Sequence, residues 1–205
     1  MKNDKETREN LLKSAKKKFM EKGFMQASLR NICKNAGVTT GALYFFFQDK
    51  EDLFASLVEK PLQQLHQMMS AHYKTEMELS PEDFNCLEDF EDDFAVAKEV
   101  IHFMYQFYDE FQLLLTKSQG SRFEKCVEQF IQISEKHYRL MADRFSESTG
   151  TPRVEDFMIH WLSHMEIDAF VHLLTHEKSE EAACRHMESI VRFVLAGWLD
   201  MFHKK

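Results

Sequence analysis

The sequence places metal-binding side-chain types at four-residue steps: His160, His164, Asp168, His172 and His176. On an α-helix such a series drifts by about 40° per step, so only adjacent pairs could share an ion. We interpret the series as a solvent or dimer-surface stripe. A helical di-iron bundle needs two Glu-x-x-His motifs, and the sequence contains only Glu99-x-x-His102. We therefore expect no metal ion.

Catalytic chemistry has no clear motif either. The sequence contains no Gly-x-Ser-x-Gly, phosphate-binding loop or His-Glu-x-x-His pattern. The four cysteines are Cys33, Cys86, Cys126 and Cys184. Their separation argues against a zinc cluster or a disulfide framework and suits a reducing compartment. We expect a protein without catalytic residues or cofactors.

Charge is divided unequally along the chain. Residues 1–50 carry 11 Lys/Arg and 5 Asp/Glu, which gives a net charge of +6. Residues 51–205 carry 15 Lys/Arg and 29 Asp/Glu, which gives a net charge of −14. A basic segment before an acidic one fits a phosphate-binding head on a body that does not bind nucleic acid. The charged N-terminus and the lack of about 18 uninterrupted apolar residues predict a cytoplasmic protein with no membrane partner.

The segment from residue 28 to residue 53 combines small, hydroxyl and basic residues at fixed spacing. It reads SLRNICKNAGVTTGALYFFFQDKEDL. Small residues at the start of a short helix let its backbone approach base edges in the DNA major groove. Hydroxyl and basic side chains beside them can reach phosphates.

This segment resembles the signature of the TetR family of helix-turn-helix repressors. The family pattern has S/T, three residues, I-A, two residues, A-G-V-S/T, x-G-x-L-Y-x-Y/H-F, two residues and K-E-x-L. The chain departs from it at Cys33, where Ala is usual, and at Phe46, where Tyr or His commonly contacts a phosphate. The DNA-binding positions implied by the resemblance are Ser28, Arg30, Thr39, Thr40, Gly41, Ala42, Tyr44 and Lys50.

The resemblance implies a homodimer on a palindromic operator in double-stranded DNA. A small, largely apolar effector would release the repressor from the operator. The alternative is a DNA-binding regulator without a small-molecule pocket, controlled by a protein partner or acting as a nucleoid-associated structural protein.

Helical periodicity and capping residues predict the helices on which the signature residues lie. They predict helix 1 over 4–22 ended by Gly23, helix 2 capped by Ser28 and ended by Gly37, and helix 3 over 40–46 capped by Thr39. Asp49 would cap a fourth helix. With only 6 Gly and 3 Pro, we predict an all-α fold. A three-helix helix-turn-helix head (1–48) would precede a larger helical effector-binding and dimerisation domain (49–205).

Longer apolar stripes follow. They predict one helix over about 94–115, another over 123–145, and two more over about 154–176 and 179–203. The acidic stretch 81–93 is interpreted as a connector or short helix.

Pro61 lies inside the helical pattern of the connecting helix, 49–73. An interior proline removes a hydrogen bond and clashes with the preceding turn, which produces a kink. A proline at the first position of a new helix is favourable. The sequence therefore leaves open whether Pro61 is a hinge or a helix start.

Two sets of residues in the body have candidate functions. Polar-tipped and apolar side chains on the stripes predict the effector pocket: Tyr105, Tyr108, Phe111, Phe130, His137, Met141, Trp161 and Met165. The alternative for each of these side chains is a place in the ordinary hydrophobic core. The last helix carries an apolar face too wide for solvent, which predicts a homodimer interface: Met187, Val191, Val194, Leu195 and Trp198.

Overall fold

A computed structural model describes residues 2–78 and 91–202. Every regular element within these ranges is an α-helix, which confirms the all-α prediction. The helices are α1 (Lys2–Gln26), α2 (Leu29–Ala36), α3 (Thr40–Phe46), α4 (Lys50–Glu78), α5 (Glu91–Gln106), α6 (Tyr108–Lys117), α7 (Cys126–Thr149), α8 (Asp156–His176) and α9 (Glu180–Asp200). The predicted acidic connector lies mostly outside the described residues.

The chain divides into two compact units. Unit 1 comprises Met1–Gln64 and Phe107–Cys126, and unit 2 comprises Leu65–Gln106 and Val127–Lys205. Unit 1 therefore contains the predicted head together with the first half of α4 and all of α6. The functional boundary between residues 48 and 49 stays a prediction.

The core of unit 1 contains a cluster of aromatic side chains. The Phe54 ring meets the Phe19 ring edge-to-face at a centroid distance of 5.0 Å and the Phe24 ring at 5.3 Å. The centroid of the Phe123 ring lies 6.0 Å from that of Phe54. Between helices α1 and α6, the Lys16 ammonium lies 2.9 Å from the Glu110 carboxylate. The aromatic contacts join α1, α4 and the segment before α7, and the Lys16–Glu110 ion pair joins α1 to α6.

The predicted helix ends of unit 1 are largely confirmed. The backbone is non-helical at Gly23 (φ 72°, ψ 167°) inside α1, and Gly37 ends α2 in the left-handed conformation (φ 70°). The Thr39 hydroxyl accepts a hydrogen bond from the Ala42 amide at 3.2 Å, and Asp49 accepts one from the Asp52 amide at 2.8 Å. These side chains cap α3 and α4.

Two predicted helix boundaries need correction. Ser28 occupies the cap position of α2, but its hydroxyl makes no capping hydrogen bond, and only its carbonyl joins the helix by accepting from the Ile32 amide. The single helix predicted over 94–115 is wrong because the chain breaks at Phe107 (φ −113°, ψ 38°). Apolar spacing reports which face is buried, and here it continues across a one-residue break that separates α5 in unit 2 from α6 in unit 1.

Helix α4 continues through Pro61, so no second helix starts there. The division between the two units falls inside the same helix, between Gln64 and Leu65.

Unit 2 contains two apolar clusters against α9. One surrounds Trp198, whose indole ring lies 6.0 Å from Phe145 and 5.2 Å from Phe202. The other surrounds Met187 and includes Ile101 of α5 and Leu173 of α8. Helix α9 is therefore anchored at both ends.

Candidate DNA-binding surface and effector site

Helices α2 and α3 form a helix-turn-helix. The turn is closed by the Val38 amide, which donates to the Cys33 carbonyl at 3.0 Å. Leu43 is fully buried and Phe47 nearly so, as predicted for residues that hold α3 against the rest of the head. This packing turns the opposite side of α3 outward.

The structure places all eight predicted DNA-binding residues on the surface of unit 1. Six are exposed and two are half-buried: Ser28, Arg30, Thr39, Thr40, Gly41 and Tyr44 in the first group, Ala42 and Lys50 in the second. Beside them, an open depression of about 540 Å³ is lined by Arg30, Asn31, Cys33, Lys34, Val38 and Thr40. Two of the residues predicted to approach DNA, Arg30 and Thr40, therefore line this solvent-accessible depression together with the basic Lys34.

Lys50 has a second, structural contact. Its ammonium donates to the Met25 carbonyl at 3.0 Å and lies 4.7 Å from the centroid of the Phe24 ring. Desolvation at this half-buried position lowers the pKa of Lys50. A lysine ammonium has three N–H donors, so two remain for a phosphate. Lys50 therefore ties the start of α4 to the end of α1.

Phe45 on α3 was not among the predicted contact residues. Its side chain is 77 % exposed, and its ring meets the half-buried Phe46 ring edge-to-face at 4.9 Å. Position 45 is a variable position in the signature, so the motif gave no signal. A helical-face projection relative to the buried Leu43 is the signal that could have found it.

A polar cluster lies inside unit 2, and His137 is its one predicted member. Its other members are Tyr73, Glu76, Ser134 and Glu166. The rings of His137 and Tyr73 stack at 4.0 Å with an interplanar angle of 5°, and His137 Nε2 lies 2.6 Å from Glu76 Oε2. These residues come from α4, α7 and α8.

Glu166 is the acceptor at the centre of this polar cluster. The hydroxyls of Ser134 and Tyr73 donate to its Oε2 at 2.5 Å and 3.4 Å. Burial raises the pKa of the Glu166 carboxyl, and the nearby Glu76 carboxylate raises it further. Burial also raises the pKa of Tyr73, so this phenol stays protonated at neutral pH. The cluster thus combines hydroxyl donors with a carboxyl group whose pKa is raised by burial.

We predict that Glu166→Gln stabilises the folded protein increasingly as pH rises. Because the folded-state pKa of Glu166 is raised, its stabilising protonated form is present below the ordinary glutamate pKa and is lost as pH rises through the raised value. Each unit of pKa difference corresponds to about 1.4 kcal/mol. Urea unfolding of both proteins between pH 5 and pH 8 measures the effect. A difference in unfolding free energy that shrinks toward pH 8 would contradict it.

The other predicted pocket residues occupy different surroundings. In unit 2, Phe130 and Met141 are buried, Met165 packs beside the Trp198 cluster, and the Tyr105 hydroxyl donates to the Glu177 carbonyl. Trp161 is 48 % exposed. Two members belong to unit 1 because of the break at Phe107: Tyr108 and Phe111. The pocket as a set stays a prediction.

The residues predicted to form the dimer interface fall into a buried group and a half-buried group. Met187 and Trp198 are buried within the protomer, while Val191, Val194 and Leu195 are half-buried. Large apolar side chains that are exposed on α8 and α9 were largely missed by the sequence: Phe157, Trp161 and Phe193. An apolar stripe read from sequence does not separate the side of a helix that faces its own core from the side that faces solvent.

The histidine series of α8 forms two ring pairs. His160 lies 4.6 Å from His164, and His172 lies 4.1 Å from His176, between ring centroids. Among the described residues, no group of three or more potential ligands has a geometry suited to a metal ion. No helix in the described ranges is long and apolar enough to span a membrane.

The segment that contains the helix-turn-helix of unit 1 is similar to the N-terminal segment of known DNA-binding regulators. Residues 11–57 match the family described as bacterial regulatory proteins, tetR family. The transcriptional repressor BepR of Brucella suis is 49 % identical over 53 residues, and the regulator AcrR of Shigella flexneri is 46 % identical over 54 residues. Each match covers 26 % of this chain and 25 % of the relative, so the matched segment spans about a quarter of these proteins.

Solved structures extend the likeness to the fold of nearly the whole chain. A transcriptional regulator of the AcrR family from Aquifex aeolicus superposes with a TM-score of 0.60 at 18 % identity, covering 92 % of this chain and 99 % of that one. NalD of Pseudomonas aeruginosa, the secondary repressor of the MexAB-OprM multidrug efflux pump, gives 0.52 at 20 % identity, covering 95 % and 98 %. The N-terminal segment is therefore similar to that of TetR-family regulators, and the chain shares the fold of these solved structures.

Proposed function

We propose that this protein is a transcriptional repressor that binds a palindromic DNA operator as a homodimer and leaves it when a small, largely apolar effector binds. The observation that carries the proposal is the helix-turn-helix of unit 1. Its α3 presents Thr40, Gly41 and Tyr44 to solvent while Leu43 anchors the helix from behind. A short helix held in this way can enter the major groove. We infer a cytoplasmic location from that role.

The charge distribution supports binding to duplex DNA. The +6 of residues 1–50 coincides with the segment that contains α2 and α3, and the depression beside α3 is lined by Arg30 and Lys34. Cationic side chains around a groove-binding helix attract phosphates and release bound counterions.

The polar cluster of unit 2 supports effector binding. Ligand sites are mostly apolar and hold a few polar groups that fix the orientation of the ligand. Here Tyr73, His137 and Glu166 supply those groups, with the buried apolar side chains of Phe130 and Met141 in the same unit. An effector with one polar end and an apolar remainder matches this composition.

The exposed aromatic side chains of α8 and α9 support the homodimer. Phe157 and Phe193 are 71 % and 69 % exposed, and Trp161 lies one helical turn after Phe157. A large aromatic side chain buries about 150–250 Å² when covered. A second copy of the same two helices would cover them symmetrically.

The salt dependence of DNA binding tests the phosphate contacts. We expect both Arg30→Ala and Lys50→Ala to reduce the slope of log affinity against log salt by about one unit. Only Lys50→Ala should also lower the unfolding free energy, because it removes the bond to the Met25 carbonyl. Titration of a fluorescent duplex at four salt concentrations gives the slopes. A wild-type slope retained by both variants would contradict the proposed surface.

A further inference from the structure

Phe45 is the most exposed of the large apolar side chains in the described part of the chain, at 77 %. It lies on α3, the helix assigned to the major groove. Its ring is braced by the edge-to-face contact with Phe46 at 4.9 Å, and Phe46 is itself half-buried. An exposed phenylalanine held in place gains free energy only when a partner covers it.

The position of Phe45 on α3 indicates what the partner is. Residues three and four apart lie on one face of a helix, so Phe45 shares a face with Ala42 and Gly41. A Cβ added at Gly41 would meet only the Thr39 hydroxyl oxygen, at 3.8 Å, so the backbone here is open to close approach. This face of α3 therefore carries small residues at the N-terminal end of the helix and a large apolar ring at the C-terminal end. Arg30 and Lys34 line a depression together with Thr40 at the start of α3, and these basic side chains favour a polyanion as the partner.

We propose that the Phe45 ring packs against thymine 5-methyl groups in the major groove and is a sequence-reading residue of this protein. The inference rests on the proposed function. Thymine is the one base whose major-groove edge carries an apolar group, since the other bases present hydrogen-bond donors and acceptors there. A phenylalanine ring gains from covering a methyl group and desolvates polar base edges without replacing their hydrogen bonds.

Replacement of thymine by uracil tests this contact directly, because the two bases differ by the methyl group alone. A preferred duplex is first selected from a random-sequence library with the wild-type protein. The same duplex is then prepared with deoxyuridine at every thymidine of the half-sites. We expect wild-type affinity to fall about fourfold for each methyl group that Phe45 covers. The Phe45→Ala variant should bind both duplexes with equal affinity. Its affinity for the thymine duplex should be lower than that of the wild-type protein.

Two further variants make the comparison specific. Phe45→Leu keeps an apolar side chain and should retain part of the preference for thymine. Met25→Ala removes another exposed apolar side chain, 66 % exposed at the end of α1, while keeping the carbonyl that Lys50 contacts. It should discriminate between the duplexes as wild type does.

The possible negative results distinguish failure of the thymine contact from failure of the proposed function. Equal binding of both duplexes by the wild-type protein, or equal discrimination by wild type and Phe45→Ala, would overturn the thymine contact while leaving the repressor proposal intact. A selected operator without thymine in its half-sites would do the same. If no duplex is enriched over the starting library, the proposed function itself fails, and this inference with it.

Discussion

Phe193→Glu should convert the proposed dimer into monomers. Phe193 projects from α9 with 69 % of its side chain exposed, so the substitution leaves the core of the protomer intact. In the dimer, the new carboxylate would be buried without a partner, which costs several kcal/mol. Operator affinity should fall by about a hundredfold or more, since a monomer engages only one half-site. Sedimentation velocity and a DNA titration measure the two effects.

Leu140→Glu is the matched control for this experiment. Leu140 is 54 % exposed on α7, outside the α8 and α9 surface, and its replacement should leave the dimer unchanged. Leu195→Glu, at a half-buried position of α9, should act as Phe193→Glu does. Stable dimers of both α9 variants would show that the interface lies elsewhere.

Phe54→Ala should strongly destabilise unit 1 and thereby weaken DNA binding. The fully buried ring of Phe54 contacts Phe19, Phe24 and Phe123, which come from two other parts of the unit. Truncation of a buried phenylalanine to alanine costs about 3–5 kcal/mol, a large fraction of the 5–15 kcal/mol that stabilises a typical domain. Denaturant unfolding followed by circular dichroism measures the loss.

Phe45→Ala serves as the control because it removes the same side chain from an exposed position. It should leave the unfolding free energy unchanged within about 0.5 kcal/mol. A Phe54→Ala protein as stable as Phe45→Ala would contradict the role of the aromatic core in holding the head together.

The head was predictable because its signals are local. Gly37 and Thr39 each end or cap a helix through contacts within a few residues, so residue type and spacing are enough to predict their roles. The break at Phe107 was not predictable in this way. The break occurs where the chain passes from unit 2 to unit 1. Apolar periodicity does not reveal it, because the same spacing would continue if the chain stayed within one unit.

The candidate sites could be predicted only in part, because they combine local signals with contacts between distant helices. The signature identified the surface of α2 and α3, but the exposed Phe45 and the bond from Lys50 to Met25 depend on how helices pack. In unit 2, His137 was found as a polar residue on an apolar stripe. Tyr73 and Glu166 come from α4 and α8, so only the folded chain brings them to one cluster.

Selection of binding sites from a random-sequence duplex library, followed by competition with unrelated duplex DNA, tests the central claim most directly. We predict enrichment of a palindromic sequence whose half-sites lie about 10 base pairs, or a multiple of that, apart. The purified protein should bind it about a thousandfold or more tighter than the unrelated duplex. Equal affinity for both duplexes would contradict the assignment of this protein as an operator-binding repressor.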